Sequence, residues 1–153
     1  MWRGLNMTTS KVYSTFHVAD FYFGIPTAQG VEVSNGFEVT PAPLGPIEVA
    51  GFINLRGQIV TAIDMHARLG MAPQKPKPGG IALFFKEKDS LFGLLVDEAN
   101  EILELDETSF EQPPSNLPER ARDLISGVYK LPNQLLLILE TQKIVSGISL
   151  MQR

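Results

Sequence analysis

Apolar side chains in this chain come in short bursts: Ile81 to Phe85, Gly93 to Val96 and Leu135 to Leu139 each end at a charged residue. Bursts of this length are far below the roughly 20 residues needed to cross a bilayer. Bounded by turn-forming glycine, proline, asparagine and aspartate, they read as strands rather than helices. The chain is therefore expected to be mostly β. At 153 residues and 44% hydrophobic content, it can bury roughly 70% of its unfolded surface without a covalent staple. That suits one domain, or two small units leaning on each other. With no cysteine, disulfides, thiolate metal sites and a cysteine nucleophile are all excluded, which is compatible with a reducing cytoplasm.

The pattern can be followed along the chain. Val12, Ser14, Phe16 and Val18 alternate with Tyr13, Thr15 and His17, and Ala19-Asp20 turns that strand into Phe21 to Ile25. Pro26 closes the hairpin, because proline cannot donate to a ladder. Asn35 to Pro46, with three prolines, reads as an extended connection. Gly51 to Leu55 and Ile59 to Ile63 form a second hairpin around Arg56-Gly57-Gln58, for which the glycine suggests a type II′ turn with Arg56 at the tip. Asp64 is placed to cap a short helix, Met65 to Leu69, ended by Gly70. Pro73 to Gly80 is the most linker-like stretch and divides the sequence nearly in half. Beyond it, Ile81 to Phe85 and Leu91 to Val96 make a third hairpin, followed by a strand at Glu101 to Leu105 and a loop with one turn of helix from Pro118. Val128 to Lys130 turns back into Leu135 to Leu139, whose unbroken apolar character implies burial on both faces. A last helix is expected from Thr141 through Leu150. About ten short strands fit small barrels or a sandwich, and two linked five-stranded units accommodate them.

Chemistry is hard to place on this sequence. Its 13 basic and 17 acidic residues give a net charge of −4, the wrong sign for a surface that neutralises many phosphates, so no nucleic acid partner is expected. His17 and His66 lack the spacing of metal ligands, and no phosphate-cradling or nucleophile-elbow motif occurs. Asp97, Glu98, Glu101, Glu104, Asp106, Glu107 and Glu111 crowd one segment, but strand alternation sends Glu101 and Glu104 to opposite faces, which describes a solvated negative edge. No catalytic residue, metal or cofactor is assigned, and the protein is not expected to be an enzyme. Arg56 is the residue to single out. An exposed turn arginine ordinarily does no more than keep a loop in water. Here, however, it is planted between Ile53-Asn54-Leu55 and Ile59-Val60, and arginine on a rigid apolar platform is a frequent interface anchor.

At this point the residues become specific. Thr40-Pro41-Ala42-Pro43, Pro46, Val49, Gly51-Phe52-Ile53-Asn54-Leu55-Arg56-Gly57-Gln58-Ile59-Val60, Ile63-Asp64-Met65 and Arg68-Leu69-Gly70 resemble the signature of the CheW-like coupling proteins of bacterial chemotaxis. Phe23-Gly24-Ile25, Glu32-Val33, Gly93 to Asp97, Ile125 to Val128 and Leu135 to Leu139 extend the likeness over almost the whole chain. The resemblance implies one domain over 12–150, built as two intertwined five-stranded SH3-like barrels, with subdomains at roughly 12–72 and 80–140 and a helix at 141–150 packing back. It also implies a cytoplasmic adaptor at membrane-associated receptor arrays, without membrane insertion, that binds chemoreceptor cytoplasmic tips and the regulatory domain of a CheA-type histidine kinase.

By the same resemblance the receptor helix docks in a groove near Gly30, Glu32, Gly51, Arg56, Ala99 and Ile102, with Asn54, Leu55 and Gly57 forming the hairpin motif. The chain departs from the family pattern at Gly30, where valine is usual, at Ala99, where a larger aliphatic is common, and at Thr61, where proline is frequent. These departures bear on receptor choice more than on the fold. The competing readings are an array-capping scaffold, a paralogue serving a signalling system other than chemotaxis, or a small-molecule-binding β-barrel protein.

Overall fold

The computed structural model describes residues 9–42, 44–146 and 148. Among them are eleven strands: β1 (Ser10–Val18), β2 (Phe21–Pro26), β3 (Glu32–Ser34), β4 (Thr40–Pro41), β5 (Val49–Leu55), β6 (Gln58–Asp64), β7 (Ile81–Glu87), β8 (Ser90–Val96), β9 (Glu98–Asp106), β10 (Ile125–Lys130) and β11 (Leu135–Leu139). Three short helices accompany them: α1 (Met65–Arg68), α2 (Glu119–Arg122) and α3 (Thr141–Ser146). The mostly β expectation holds. The strands form a five-stranded sheet in the order β9-β1-β2-β11-β10 and a six-stranded sheet in the order β3-β7-β8-β6-β5-β4. The extra strand is β4, a two-residue pairing with Phe52 and Gly51 inside what reads as pure connection.

Side-chain alternation explains why two such sheets make three apolar clusters. On β11, Leu136 and Ile138 face an interior shared with Tyr13, Tyr22 and Tyr129, all from the first sheet. Leu137 and Leu139 point the other way, into the large cluster between the sheets. The second sheet repeats the arrangement: Ala82 and Phe84 of β7 join Ile53 and Val60 in its own interior, whereas Leu83 and Phe85 enter the shared seam. Each sheet thus wraps a core of its own, and the two barrels are cemented by a third. Met65 and Leu69, Ala121, and Ile144, Val145 and Ile148 bring all three helical segments into that seam. Each aliphatic side chain so buried contributes roughly 1.5–3 kcal/mol.

Strand pairing cuts across the division into successive units at 12–72 and 80–140. β1 and β2 belong with β9, β10 and β11, while the middle of the chain, β3 to β8, builds the other sheet. The parallel pairs β2·β11 and β6·β8 decide this. Pro73 to Gly80 is consequently a loop within one sheet, since β6 and β8 pair across it. The N-terminal helix boundary at Thr141 agrees with expectation, and Ile144, Val145 and Ile148 are buried; the remainder of the helix expected through Leu150 lies outside the described residues.

Candidate partner-docking site

The β5–β6 hairpin carries the residue of most interest. Leu55 pairs with Gln58, so Arg56 and Gly57 are the two loop residues, with φ values of 51° and 86°. Positive φ at both positions makes a type I′ turn rather than the type II′ expected, which would need a positive φ only at the first. A non-glycine residue rarely takes this conformation. Asn54 stabilises it: its Oδ1 accepts a hydrogen bond from the Gly57 N–H at 2.9 Å.

Arg56 then reaches Glu32 with both ends of its guanidinium. Nη2 donates to Oε1 at 2.7 Å and Nη1 to Oε2 at 3.1 Å, the parallel geometry that makes arginine–carboxylate pairs specific. Glu32 lies on β3, at one edge of the six-stranded sheet, and Arg56 projects from the end of β5, near the other edge. A contact this short between strands separated by three others shows how far the sheet has curled. The hydrogen bonds from Arg56 hold the Glu32 carboxyl below the usual carboxylate range, with desolvation opposing and the arginine charge reinforcing. The Arg56 and Glu32 side chains remain 68% and 44% exposed, and Ile59, just past the turn, is exposed as well.

The other residues named from the sequence occupy distinct positions. Gly51 has φ +154°, and a Cβ there would run into the Thr40 carbonyl and Val39, so glycine is what allows β4 to lie against β5. Gly30, at φ +72°, ends the turn after β2 by donating its N–H to the Thr27 carbonyl at 2.8 Å. The space where its Cβ would project is open, so a valine would meet backbone strain there rather than a clash. Ala99 and Ile102 are in the other sheet, on edge strand β9, opposite Phe16 and Ser14 of β1. An irregularity between them inserts an extra residue, and Ile102 beyond this bulge is 66% exposed. These two take no part in the Arg56–Glu32 pair.

The family profile described as CheW-like domain matches residues 13–149. The chain belongs to the CheW-like family. It is 28% identical over 129 residues to the chemotaxis protein CheW of Rhizobium meliloti (strain 1021), covering 84% of this chain and 83% of that one. To the chemotaxis protein CheW of Helicobacter pylori (strain ATCC 700392 / 26695) it is 25% identical, over 85% of this chain and 78% of that one. A crystal structure of the scaffolding protein TtCheW from Thermoanaerobacter tengcongensis superposes with a TM-score of 0.78 at 25% identity, covering 90% of this chain and 94% of the other. Membership places the chain among the chemotaxis coupling adaptors.

The structure also says what several CheW-like motif residues do. Asp64 is 4% exposed; its Oδ1 accepts from the Ala67 N–H at 3.2 Å, capping α1, and its Oδ2 accepts from the Gln74 N–H at 2.7 Å, tethering the proline-rich loop. Arg68 donates through Nε to the Ile144 carbonyl at 2.8 Å and through Nη2 to the Lys143 carbonyl at 3.0 Å, fastening α1 to α3. These residues hold the frame on which the hairpin stands.

One arrangement escaped sequence reasoning. Asp97 is the single residue between β8 and β9, where the chain passes from one sheet to the other. Its carboxylate meets His66 Nε2 at 2.9 and 3.0 Å and accepts from the Ala19 N–H at 2.6 Å, while its own N–H donates to the His17 carbonyl at 3.0 Å. Both histidines therefore serve the crossing: His17 hydrogen-bonds Asn100 at 2.7 Å and stacks on Tyr22. Partners 31 and 78 residues apart along the chain leave no local pattern to read. Among the described residues no helix is long and apolar enough to cross a membrane, and no group of three or more His, Cys, Asp or Glu could hold a metal ion.

Proposed function

We propose that this CheW-like chain is a non-catalytic adaptor that couples chemoreceptor cytoplasmic tips to the regulatory domain of a CheA-type histidine kinase, working in the cytoplasm at membrane-associated receptor arrays. The receptor helix lies along the surface bearing Gly30, Glu32, Gly51, Arg56, Ala99 and Ile102. One observation carries the reading: Arg56 is held by a locked I′ turn and a two-point contact to Glu32, on a hairpin that also exposes Ile59. A preorganised arginine beside apolar surface costs little side-chain entropy on binding, which is what an interface anchor needs. Adaptors of this kind gain strength by engaging several partners at once, so each contact can stay reversible.

The test is Arg56→Glu, measured by surface plasmon resonance against a soluble receptor cytoplasmic fragment and, separately, against the kinase regulatory domain. Receptor affinity is expected to fall at least tenfold, about the effect of losing one interface anchor, with kinase affinity and cooperative unfolding retained. Receptor binding equal to wild type would take Arg56 out of the site.

A further inference from the structure

Six asparagines occur in the chain, and Asn35 alone is followed by glycine. The pair Asn35-Gly36 stands in the connection between β3, which ends at Ser34, and β4, which begins at Thr40. Both residues are exposed. The ladder between β3 and β7 stops at Ser34, opposite Ala82, so no strand pairing restrains the peptide unit that joins Asn35 to Gly36. Phe37 fastens the chain again, its ring edge-on to Phe84 at 5.9 Å.

Among the described residues the Asn35 side-chain amide makes no hydrogen bond. Asn54 and Asn100 differ: the first accepts from the Gly57 N–H at 2.9 Å, and the second stands 2.7 Å from His17 Nδ1. The Gly36 N–H donates to Ser34 Oγ at 3.1 Å, an exposed bond that water can replace. Nothing lies within 4 Å of the point where a Cβ on Gly36 would project. Gly36 also lacks a positive φ, so this backbone does not require glycine.

A free amide beside an unhindered backbone nitrogen suits an intramolecular reaction. The Gly36 nitrogen is tethered to the residue whose Cγ it would attack, and tethering replaces a collision in solution. Once it sheds its proton it is the nucleophile. A side chain at residue 36 would crowd the approach and limit the backbone rotation that brings nitrogen to Cγ, and glycine does neither.

We propose that Asn35 is a modification site, converting spontaneously to aspartate and isoaspartate. The Gly36 nitrogen gives its proton to solvent and bonds to Asn35 Cγ. The Cγ–Nδ2 bond breaks, Nδ2 takes a proton from water and leaves as ammonia, and a cyclic imide remains. One water molecule then opens the ring. Addition at Cγ breaks the new bond and gives aspartate; addition at the Asn35 main-chain carbonyl carbon breaks the original peptide bond and gives isoaspartate. No oxidant or reductant takes part. Either product adds a carboxylate just beyond the strand that carries Glu32, and isoaspartate also inserts a methylene into the backbone between Ser34 and Phe37. The site does not depend on the adaptor reading.

The experiment incubates the full chain at mildly alkaline pH in ¹⁸O-enriched water. Digestion then follows at mildly acidic pH in ordinary water, so that conversion during handling carries no label. Electron-transfer mass spectrometry of the peptides separates aspartate from isoaspartate. Labelled conversion at Asn35 is expected to run about tenfold or more faster than at Asn54, Asn100, Asn116 or Asn133, and to yield both products. Gly36→Val should slow it by about tenfold or more, because a branched side chain closes the approach. That side chain enters open space, and circular dichroism matching wild type checks that the variant is folded. An Asn35 amide that lasts as long as the others, conversion to aspartate alone, or a rate unchanged in Gly36→Val would overturn the assignment.

Discussion

Asp64 offers the most quantitative test of how the frame is held. Its two oxygens serve different backbone donors, Ala67 in α1 and Gln74 in the proline-rich loop. Replacing an aspartate cap by alanine costs about 1 kcal/mol. A hydrogen bond to a charged acceptor contributes roughly 1.5–3 kcal/mol, but the Gln74 side of that bond is exposed, so water can replace part of it and the lower end applies. Asp64→Ala should therefore destabilise by about 2–3 kcal/mol, which for a domain of this size lowers Tm by roughly 5–10 °C. Asp64→Ser, which keeps a capping oxygen and cannot also reach Gln74, should lose less, about 1–2 kcal/mol. Urea denaturation followed by tryptophan-independent circular dichroism, with m-values compared among the three proteins, supplies the free energies. An alanine variant within 0.5 kcal/mol of wild type, as for an ordinary surface site, would refute the assignment of Asp64 as a double tether. So would a serine variant no better than alanine.

Arg68→Ala removes both bonds to the α3 carbonyls and should cost about 2 kcal/mol, with amide exchange accelerating first at Ile144 and Val145; uniform acceleration across the chain would argue against a local clasp. Gly51→Ala should destabilise by about 2 kcal/mol through its positive φ and the collision with Thr40, and NMR should show β4 leaving β5. The Glu32 carboxyl, followed by ¹³C NMR, should titrate below the usual carboxylate range and return to it in Arg56→Ala. Because its folded-state pKa is depressed, the pair's contribution is present above the ordinary glutamate value and disappears as pH falls through the depressed one. An unchanged midpoint in the variant would show that Arg56 does not govern it.

Much of the fold was legible because burial obeys a period of two. The continuous run Leu135 to Leu139 announced burial on both faces, and its alternate residues do enter different cores. Asp64 and Gly70 were readable as helix punctuation for the same kind of local reason. What could not be read was pairing between distant strands. Pro73 to Gly80 has the composition of a linker because it is solvated, and solvation says nothing about which strands bond across it. The Arg56 turn was misjudged because a side-chain hydrogen bond from Asn54 and an ion pair to Glu32, both tertiary facts, favour a backbone geometry that arginine itself does not prefer. The bulge between Ala99 and Ile102, which turns Ile102 to solvent, left no mark in the alternation. The Asp97 crossing was hidden for the same reason, its partners being remote in the chain.

The threading of the two sheets bears on the order in which the molecule can assemble. The second barrel draws on one contiguous stretch, β3 to β8, whereas the first cannot close until β11 has arrived to lie beside β2. On a ribosome, β1 and β2 would wait as a lone hairpin, a unit of marginal stability by itself, until β9 emerges to pair with β1, and the barrel would stay open until β11 follows. Closure of that long loop is slow compared with local pairing. We therefore expect pulse-labelled hydrogen exchange during refolding to protect β5 to β8 before β1 and β2; simultaneous protection would mean that the seam, not the nearer barrel, organises the chain.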